Sequence, residues 1–295
     1  MSDPEIDALR AAIAANPRPP GVAERRQRLD AIAGQQALDP SIRLEAVTAN
    51  GIGAEWATAP GADPARAILY IHGGGYISGS IVSHRGLAVA IGQAAGSRVL
   101  SLDYRRAPEH RFPAAVEDVV AAYRFLLDQG LAPSRVAIAG DSAGGGLTLA
   151  LMLAARERGL PLPACGWCIS PWVDLVCSSA SMTSKAAVDP IIQKPYLVEI
   201  AGLYLGEVDP RTPLASPLYG DLRGLPPLLI QVGSAEVLLD DSIMLAGIAG
   251  AADVRVTLEV WPEMIHAWPL FHDHLAGGRK AIARAGAYIR EALAP

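Results

Sequence analysis

From Ala65 onward the sequence alternates short, β-branched apolar runs with longer stretches of helical periodicity, and few architectures accept that pattern. "ARAILYIH", "SRVLSLDY", "SRVAIAG", "PACGWCIS", "LPPLLIQVG" and "DVRVTLEVW" read as strands. Between them, "VSHRGLAVAIGQAAG", "FPAAVEDVVAAYRFLLDQG", "SAGGGLTLALMLAARERG", "EVLLDDSIMLAGIAGA" and "AGGRKAIARAGAYIREAL" read as helices. Strands that are apolar along their whole length must be buried on both faces, so helices have to cover both sides of a mostly parallel sheet. The expectation is a doubly wound α/β architecture. "SIRLEAVTA" and "GIGAEWATA" predict an antiparallel hairpin that opens the sheet.

Two pieces stand outside the alternation. Residues before about Gln36 hold two amphipathic helix candidates split by "NPRPPG", and a helical segment is inserted after the strand that ends at Pro171. Open parallel sheets bind ligands beyond the carboxyl ends of their strands, so an insertion there is placed to form a lid. The predicted organisation is a first cap piece over residues 1–40, core over 41–177, a second cap piece over 178–212 and core again over 213–295.

Charge and cysteine content exclude several classes. A formal net charge of -5 gives no reason to expect nucleic acid or an anionic membrane as partner. No apolar run reaches the roughly 18 residues of a membrane span. The acidic start, "MSDPEIDALR", lacks the bases and apolar core of a signal peptide, so a cytoplasmic chain is expected. Three cysteines cannot build a disulfide framework, and Cys165 and Cys168 lie within an apolar strand, where packed thiols are expected rather than a redox pair.

The chemistry concentrates around "AIAGDSAGGG". Gly140-Asp141-Ser142-Ala143-Gly144 fits G-x-S-x-G, in which a serine sits on a tight strand-to-helix turn that projects its hydroxyl. In a chain with 29 glycines the pentapeptide alone is weak, but a strand before it and a helix after it supply the required context. A phosphate loop would need Lys and then Ser or Thr after the last glycine, where Leu147 and Thr148 stand. His72-Gly73-Gly74-Gly75-Tyr76 follows another strand, and its unhindered amides suit an oxyanion hole. The predicted donors are the amides of Gly74, Gly75 and Ala143.

A serine nucleophile needs a base. Of the six histidines, His72 belongs to the glycine turn, His84 and His110 lie in polar helix-start or loop contexts, and His272 and His274 fall in a late polar loop. His266 follows the strand "VRVTLEVW" late in the chain, as the order serine, acid, histidine requires. The acid should follow the preceding strand, where Glu236, Asp240 and Asp241 stand; Glu236 comes first, with Asp240 one helical turn on. Glu263 is expected to be an exposed loop acid.

"HGGGY", "DYRRAPEHRFPAAVED", "GDSAGGG", "SPWVDL", "SPLYGDLRGLPPLLIQVG" and "EVLLDDS" occur in that order between about Ile68 and Trp268. Together they resemble the hormone-sensitive-lipase-like carboxylesterases of the α/β-hydrolase fold, in the branch whose elbow reads GDSAG. The resemblance implies an eight-stranded core with a helical cap, and oxyanion donors at Gly74, Gly75 and Ala143. The chain departs from it at Glu236-Val237-Leu238, where the family commonly reads Asp-Pro-Leu. Arg105 and Glu109 are expected to be scaffold charges supporting the glycine turn.

The expected activity is hydrolysis of small, short-acyl esters by Ser142, His266 and Glu236 with no metal or organic cofactor. Tyr76, Trp172, Tyr196 and Trp268 are candidates for the substrate pocket. An amidase, lactonase or deacetylase would use the same parts, and a hydrolase-fold binding protein would use the cap without turnover. "DVRVTLEVW" is a possible edge strand, able to pair across a homodimer.

Overall fold

The structure, a computed structural model, describes residues 3–34 and 37–294. Residues 1, 2, 35, 36 and 295, including the expected end of the second helical piece at Gln36, lie outside the described residues.

The chain opens with α1 (Pro4–Ala14) and α2 (Val22–Ala33), then enters the sheet through β1 (Arg43–Ala49) and β2 (Ile52–Thr58). Asn50 and Gly51 join these two strands, both at positive φ (49° and 93°), the backbone a two-residue hairpin turn needs to match strand twist. β3 (Asp63–Ile71), α3 (Ile81–Ala95), β4 (Ser97–Leu102), α4 (Ala114–Asp128), β5 (Val136–Asp141), α5 (Ala143–Glu157) and β6 (Cys165–Ile169) follow. The short α6 (Ser181–Ser184) and α7 (Lys194–Leu205) occupy the insertion. β7 (Leu228–Gly233), α8 (Leu239–Ala251), β8 (Val256–Trp261) and α9 (Ala276–Ala292) complete the chain.

Among the described residues, the sheet has eight strands in the order β1-β2-β4-β3-β5-β6-β7-β8. β2 pairs antiparallel with both β1 and β4, and every pairing from β4 through β8 is parallel. Period-2 alternation divides each central strand between two cores. Leu69, Ile71, Ile138, Cys168 and Ile230 face α4, α5 and α8, while Ile68, Tyr70, Ala139, Trp167 and Leu229 face α3 and α9. Each fully buried Leu or Ile in these layers contributes about 1.5–3 kcal/mol of transfer free energy. Cys165 and Cys168 point to opposite faces, both free and buried, and burial pushes the Cys165 thiol up to about 12. They are packed side chains.

The pieces outside the alternation are pinned over the carboxyl end of the sheet. Ile6 of α1 is fully buried against Met264, Ile265, Trp268 and Leu275. Arg26 of α2 donates to the carbonyls of Ile77 and Ala107 and holds the Glu109 carboxylate through two 2.8 Å bonds. Glu109 therefore fastens α2 to the core and does not support the glycine turn as expected; Arg105 instead pairs with the buried Asp118 of α4 at 2.7 Å. Leu197, Ile200 and Tyr204 bury one side of α7 in the main core. Among the described residues, no helix is long and apolar enough to cross a membrane.

Candidate active site

Ser142 occupies the single residue between β5 and α5, with φ 55° and ψ -120°. Such a backbone is costly for an L-residue, and the surroundings enforce it. The Ser142 amide donates to the carbonyl of Ile169 at 2.8 Å, and its carbonyl accepts from the amides of Gly146 and Trp172 at 3.1 and 3.0 Å. Gly144 is required by close approach, because a Cβ there would run into the carbonyl oxygens of Ile71 and His72. The small residues that open α5 thus let it start directly against the end of β3.

The glycine turn is tied to the same elbow from behind. Asp141 accepts from the Gly73 amide at 3.0 Å and the Tyr70 hydroxyl at 2.7 Å, and meets His84 Nε2 at 3.4 Å. Burial pushes the Asp141 carboxyl up, yet the His84 charge and bond and the Tyr70 hydroxyl outweigh it and hold the group below the usual carboxylate range. Gly74 and Gly75, at φ 110° and 64°, line the cavity with Ser142. Their amides meet no acceptor among the described residues. The Ala143 amide begins α5, where a helix leaves its first N–H groups without an internal partner.

His266 lies in the loop after β8, its Nδ1 2.9 Å from Oε2 of Glu236. The other oxygen of that carboxylate, Oε1, accepts from the Gly233 amide at 2.5 Å and from the Ser170 hydroxyl at 2.8 Å. Ser170 Oγ in turn accepts from the Ala267 amide at 3.0 Å, so one hydroxyl ties the end of β6 to both the acid loop and the histidine loop. Burial pushes Glu236 up, against the bond and charge of His266 and the Gly233 amide. For His266 burial pulls downward, but the bond and charge of Glu236 prevail and raise it. Of the two acids that the sequence left open, Glu236 meets the histidine, whereas Asp240 accepts from the Ser181 amide of the insertion at 2.8 Å.

Ser142 and His266 open on one cavity of about 750 Å³. Its far wall comes from α1, α2 and the segment 190–200, including Leu29, Ile191 and Ile200.

A family described as having the α/β hydrolase fold matches residues 68–270. An acetyl-hydrolase of Streptomyces hygroscopicus is 49% identical, the alignment covering 99% of this chain and 98% of that protein. The solved structure of an esterase from the bacterial hormone-sensitive lipase family is 48% identical with a TM-score of 0.97, covering 100% of both chains. The solved structure described as EstE5-PMSF is 47% identical with a TM-score of 0.95, again over 100% of both chains. The chain belongs to the α/β-hydrolase family. Within it, this protein is a hormone-sensitive-lipase-like carboxylic ester hydrolase.

Not every residue singled out in this esterase's sequence faces the cavity. Trp172 and Tyr196 line it. Tyr76 and Trp268 do not: Tyr76 is buried in a parallel stack on Tyr204, ring centroids 3.9 Å apart, and Trp268 is buried against Trp261 and the α1 contact. Both are core side chains, Tyr76 1% and Trp268 0% exposed. His84 sits in the first turn of α3 with polar partners, as expected, its Nδ1 2.8 Å from the Ser83 hydroxyl and its Nε2 facing Asp141, and it is buried. His72 is buried as well, stacked on Tyr104 at 4.2 Å and pulled down to about 3 by burial and by His84. Sequence reasoning missed Ser170, although it stands in the quoted "SPWVDL". It also missed Arg18, Arg25 and Arg28, whose position at the cavity has no local sequence signal.

Proposed function

We propose that this esterase hydrolyses small carboxylic esters with short acyl groups through an acyl-enzyme on Ser142. The observation that carries the reading is the 2.9 Å Glu236–His266 contact on a cavity that His266 lines together with Ser142, Gly74 and Gly75. His266 takes the proton of Ser142 as its oxygen attacks the ester carbonyl, and the amides of Gly74, Gly75 and Ala143 receive the negative oxygen. The tetrahedral adduct collapses, His266 returns the proton to the departing alcohol, and the acyl group stays on Ser142. Water then attacks the acyl-enzyme with the same proton relay in reverse, releasing the acid. Glu236 holds the imidazole with Nδ1 protonated and stabilises the imidazolium.

α1, α2 and residues 178–212 act as the cap in this reading, since they wall the cavity opposite Ser142. The lean toward short acyl groups rests on this short cap and on a chain that is only 5% aromatic. A similar solved structure described as EstE5-PMSF supports the serine, because sulfonyl fluorides modify activated serine hydroxyls. A homodimer through β8 is consistent with its place at the sheet edge, where Val260 is 43% exposed; light scattering decides it.

Ser142→Ala should fold normally by circular dichroism while hydrolysis of 4-nitrophenyl butyrate falls by about a thousandfold or more. A purified Ser142→Ala protein that keeps its rate removes the acyl-enzyme. Because one relative is named an acetyl-hydrolase, deacylation of amides is the second reading, and turnover of acetanilide against phenyl acetate separates the two.

A further inference from the structure

Three arginines converge on the cap side of the cavity in a chain whose charged residues number 25 basic and 30 acidic. Arg18 comes from the loop between α1 and α2, and Arg25 and Arg28 come from α2; all three line the cavity that holds Ser142. The guanidinium carbon of Arg18 lies 3.5 Å from the centroid of the Tyr196 ring, and that of Arg25 lies 5.0 Å from it. Two like charges are thereby gathered on one aromatic side chain, with Arg25 only 8% exposed.

Their direct hydrogen-bond partners are mostly uncharged, although the buried Asp189 carboxylate also acts on Arg18 from a distance. Arg25 Nε donates to the Pro19 carbonyl at 2.8 Å, and both of its terminal nitrogens reach the same Glu199 oxygen only at 3.5 Å. Arg18 donates to the Ile191 carbonyl, and Arg28 donates to the carbonyls of Pro17 and Asn16 at 2.5 Å. Carbonyl oxygens satisfy hydrogen bonds but carry no net charge, and Glu199 is half exposed and screened. Burial, with Arg25 alongside, holds Arg18 below the ordinary guanidinium range against the opposing pull of Tyr196, Asp189 and Glu199. The acids that line the cavity lie elsewhere: Asp141 is committed behind the elbow, and Asp273 sits in the loop after β8 beside His272. Guanidinium groups in a partly dry wall are suited to a planar carboxylate.

We propose that Arg18, Arg25 and Arg28 form a subsite for a carboxylate carried at the end of the substrate remote from the scissile carbonyl, making acylated hydroxy acids the preferred ester class. The inference rests on the serine-esterase reading above: a short acyl group beside Ser142 leaves the alcohol portion to extend along the cavity toward the cap.

The test compares ω-acetoxyalkanoates of increasing chain length with the matching neutral ω-acetoxyalkanamides, following acid release in a pH-stat. At the length that spans the cavity, kcat/KM for the acid should exceed that for the amide by about tenfold, mainly through KM. Sodium chloride at about 0.5 M should remove most of that advantage. Arg18→Gln and Arg25→Gln should each lower the acid-to-amide ratio. These arginines also brace the loop over residues 16–19, so the salt dependence of the unmutated protein is the readout if a variant does not fold. A ratio at or below one at every length in low salt, or a ratio unchanged in folded Gln variants, overturns the subsite. Equal hydrolysis of acid and amide that is abolished by Ser142→Ala defeats the subsite alone, whereas loss of neither substrate in Ser142→Ala defeats the serine reading and the inference together.

Discussion

His266 Nδ1 lies 2.9 Å from Glu236 Oε2, and the carboxylate it meets is fully buried. A buried carboxylate with this geometry fixes which imidazole nitrogen carries the proton, leaving the other free to accept one. Glu236→Gln should keep the fold and lower kcat for 4-nitrophenyl butyrate by roughly a hundredfold to ten-thousandfold, because a Gln amide can stabilise the wrong tautomer and carries no charge to balance the imidazolium. Asp240→Asn is the contrasting variant. Its carboxylate accepts from the Ser181 amide of the insertion, so a steady-state assay should find kcat within a few-fold of the unmutated enzyme. If Asp240→Asn suffers the larger loss, the acid has been misassigned.

The raised affinity of His266 for protons sets the acid limb of the rate profile. Burial alone would lower it, but the Glu236 bond and charge reverse the sign. The protonated imidazole cannot accept the Ser142 proton, so kcat/KM should fall as pH drops through the His266 pKa. Because that pKa is raised, the midpoint should lie above the ordinary histidine value of about 6.5. A profile that stays flat from about pH 8 down to 5, measured with an ester stable over that range, rules out His266 as the base.

The strand and helix alternation was legible because continuous apolar strands and amphipathic helices carry their own periods, and the paired runs "SIRLEAVTA" and "GIGAEWATA" announced the hairpin. The elbow and the glycine turn were legible for a similar reason: Ser142 at positive φ and Gly144 against the Ile71 carbonyl allow few alternatives nearby in sequence. Ser170 was not legible, since its hydroxyl meets Glu236 and Ala267, 66 and 97 residues away. Tyr76 and Trp268 failed as pocket residues because aromatic identity does not say which side of a turn a ring will fill. The choice between Glu236 and Asp240 likewise depended on where the loops after β7 and β8 meet.

The Ser142 backbone also makes a stability prediction that activity assays do not test. At φ 55° and ψ -120° a Cβ is strained, by about 1–3 kcal/mol in such regions, and glycine relieves it. Ser142→Ala keeps the Cβ and loses only the hydroxyl. Ser142→Gly should therefore melt above Ser142→Ala by about 2 °C or more in differential scanning calorimetry, with both variants inactive. Equal melting temperatures would mean that the elbow stores no strain.

Arg26 gives a way to loosen α2 without touching the chemistry. It joins α2 to two core carbonyls, those of Ile77 at 2.7 Å and Ala107 at 2.8 Å, as well as to Glu109. Glu109 is 55% exposed, so its ion pair with Arg26 is screened and contributes about 1 kcal/mol or less. The two carbonyl bonds come from a charged donor that is largely shielded from water, and these are expected to dominate at about 1.5–3 kcal/mol each. Glu109→Gln should then change little, whereas Arg26→Ala should free α2, expose its backbone amides to faster hydrogen exchange and raise KM several-fold. The Arg26 bond holds the Glu109 carboxyl down to about 2, below its ordinary value, so the ion-pair part of the anchor is present above the unfolded pKa and disappears only as pH falls toward about 2. Between pH 5 and 8, release of α2 measured by hydrogen exchange should accordingly be insensitive to Glu109 titration. Comparable exchange rates in Glu109→Gln and Arg26→Ala would place the anchor in the ion pair and not in the carbonyls.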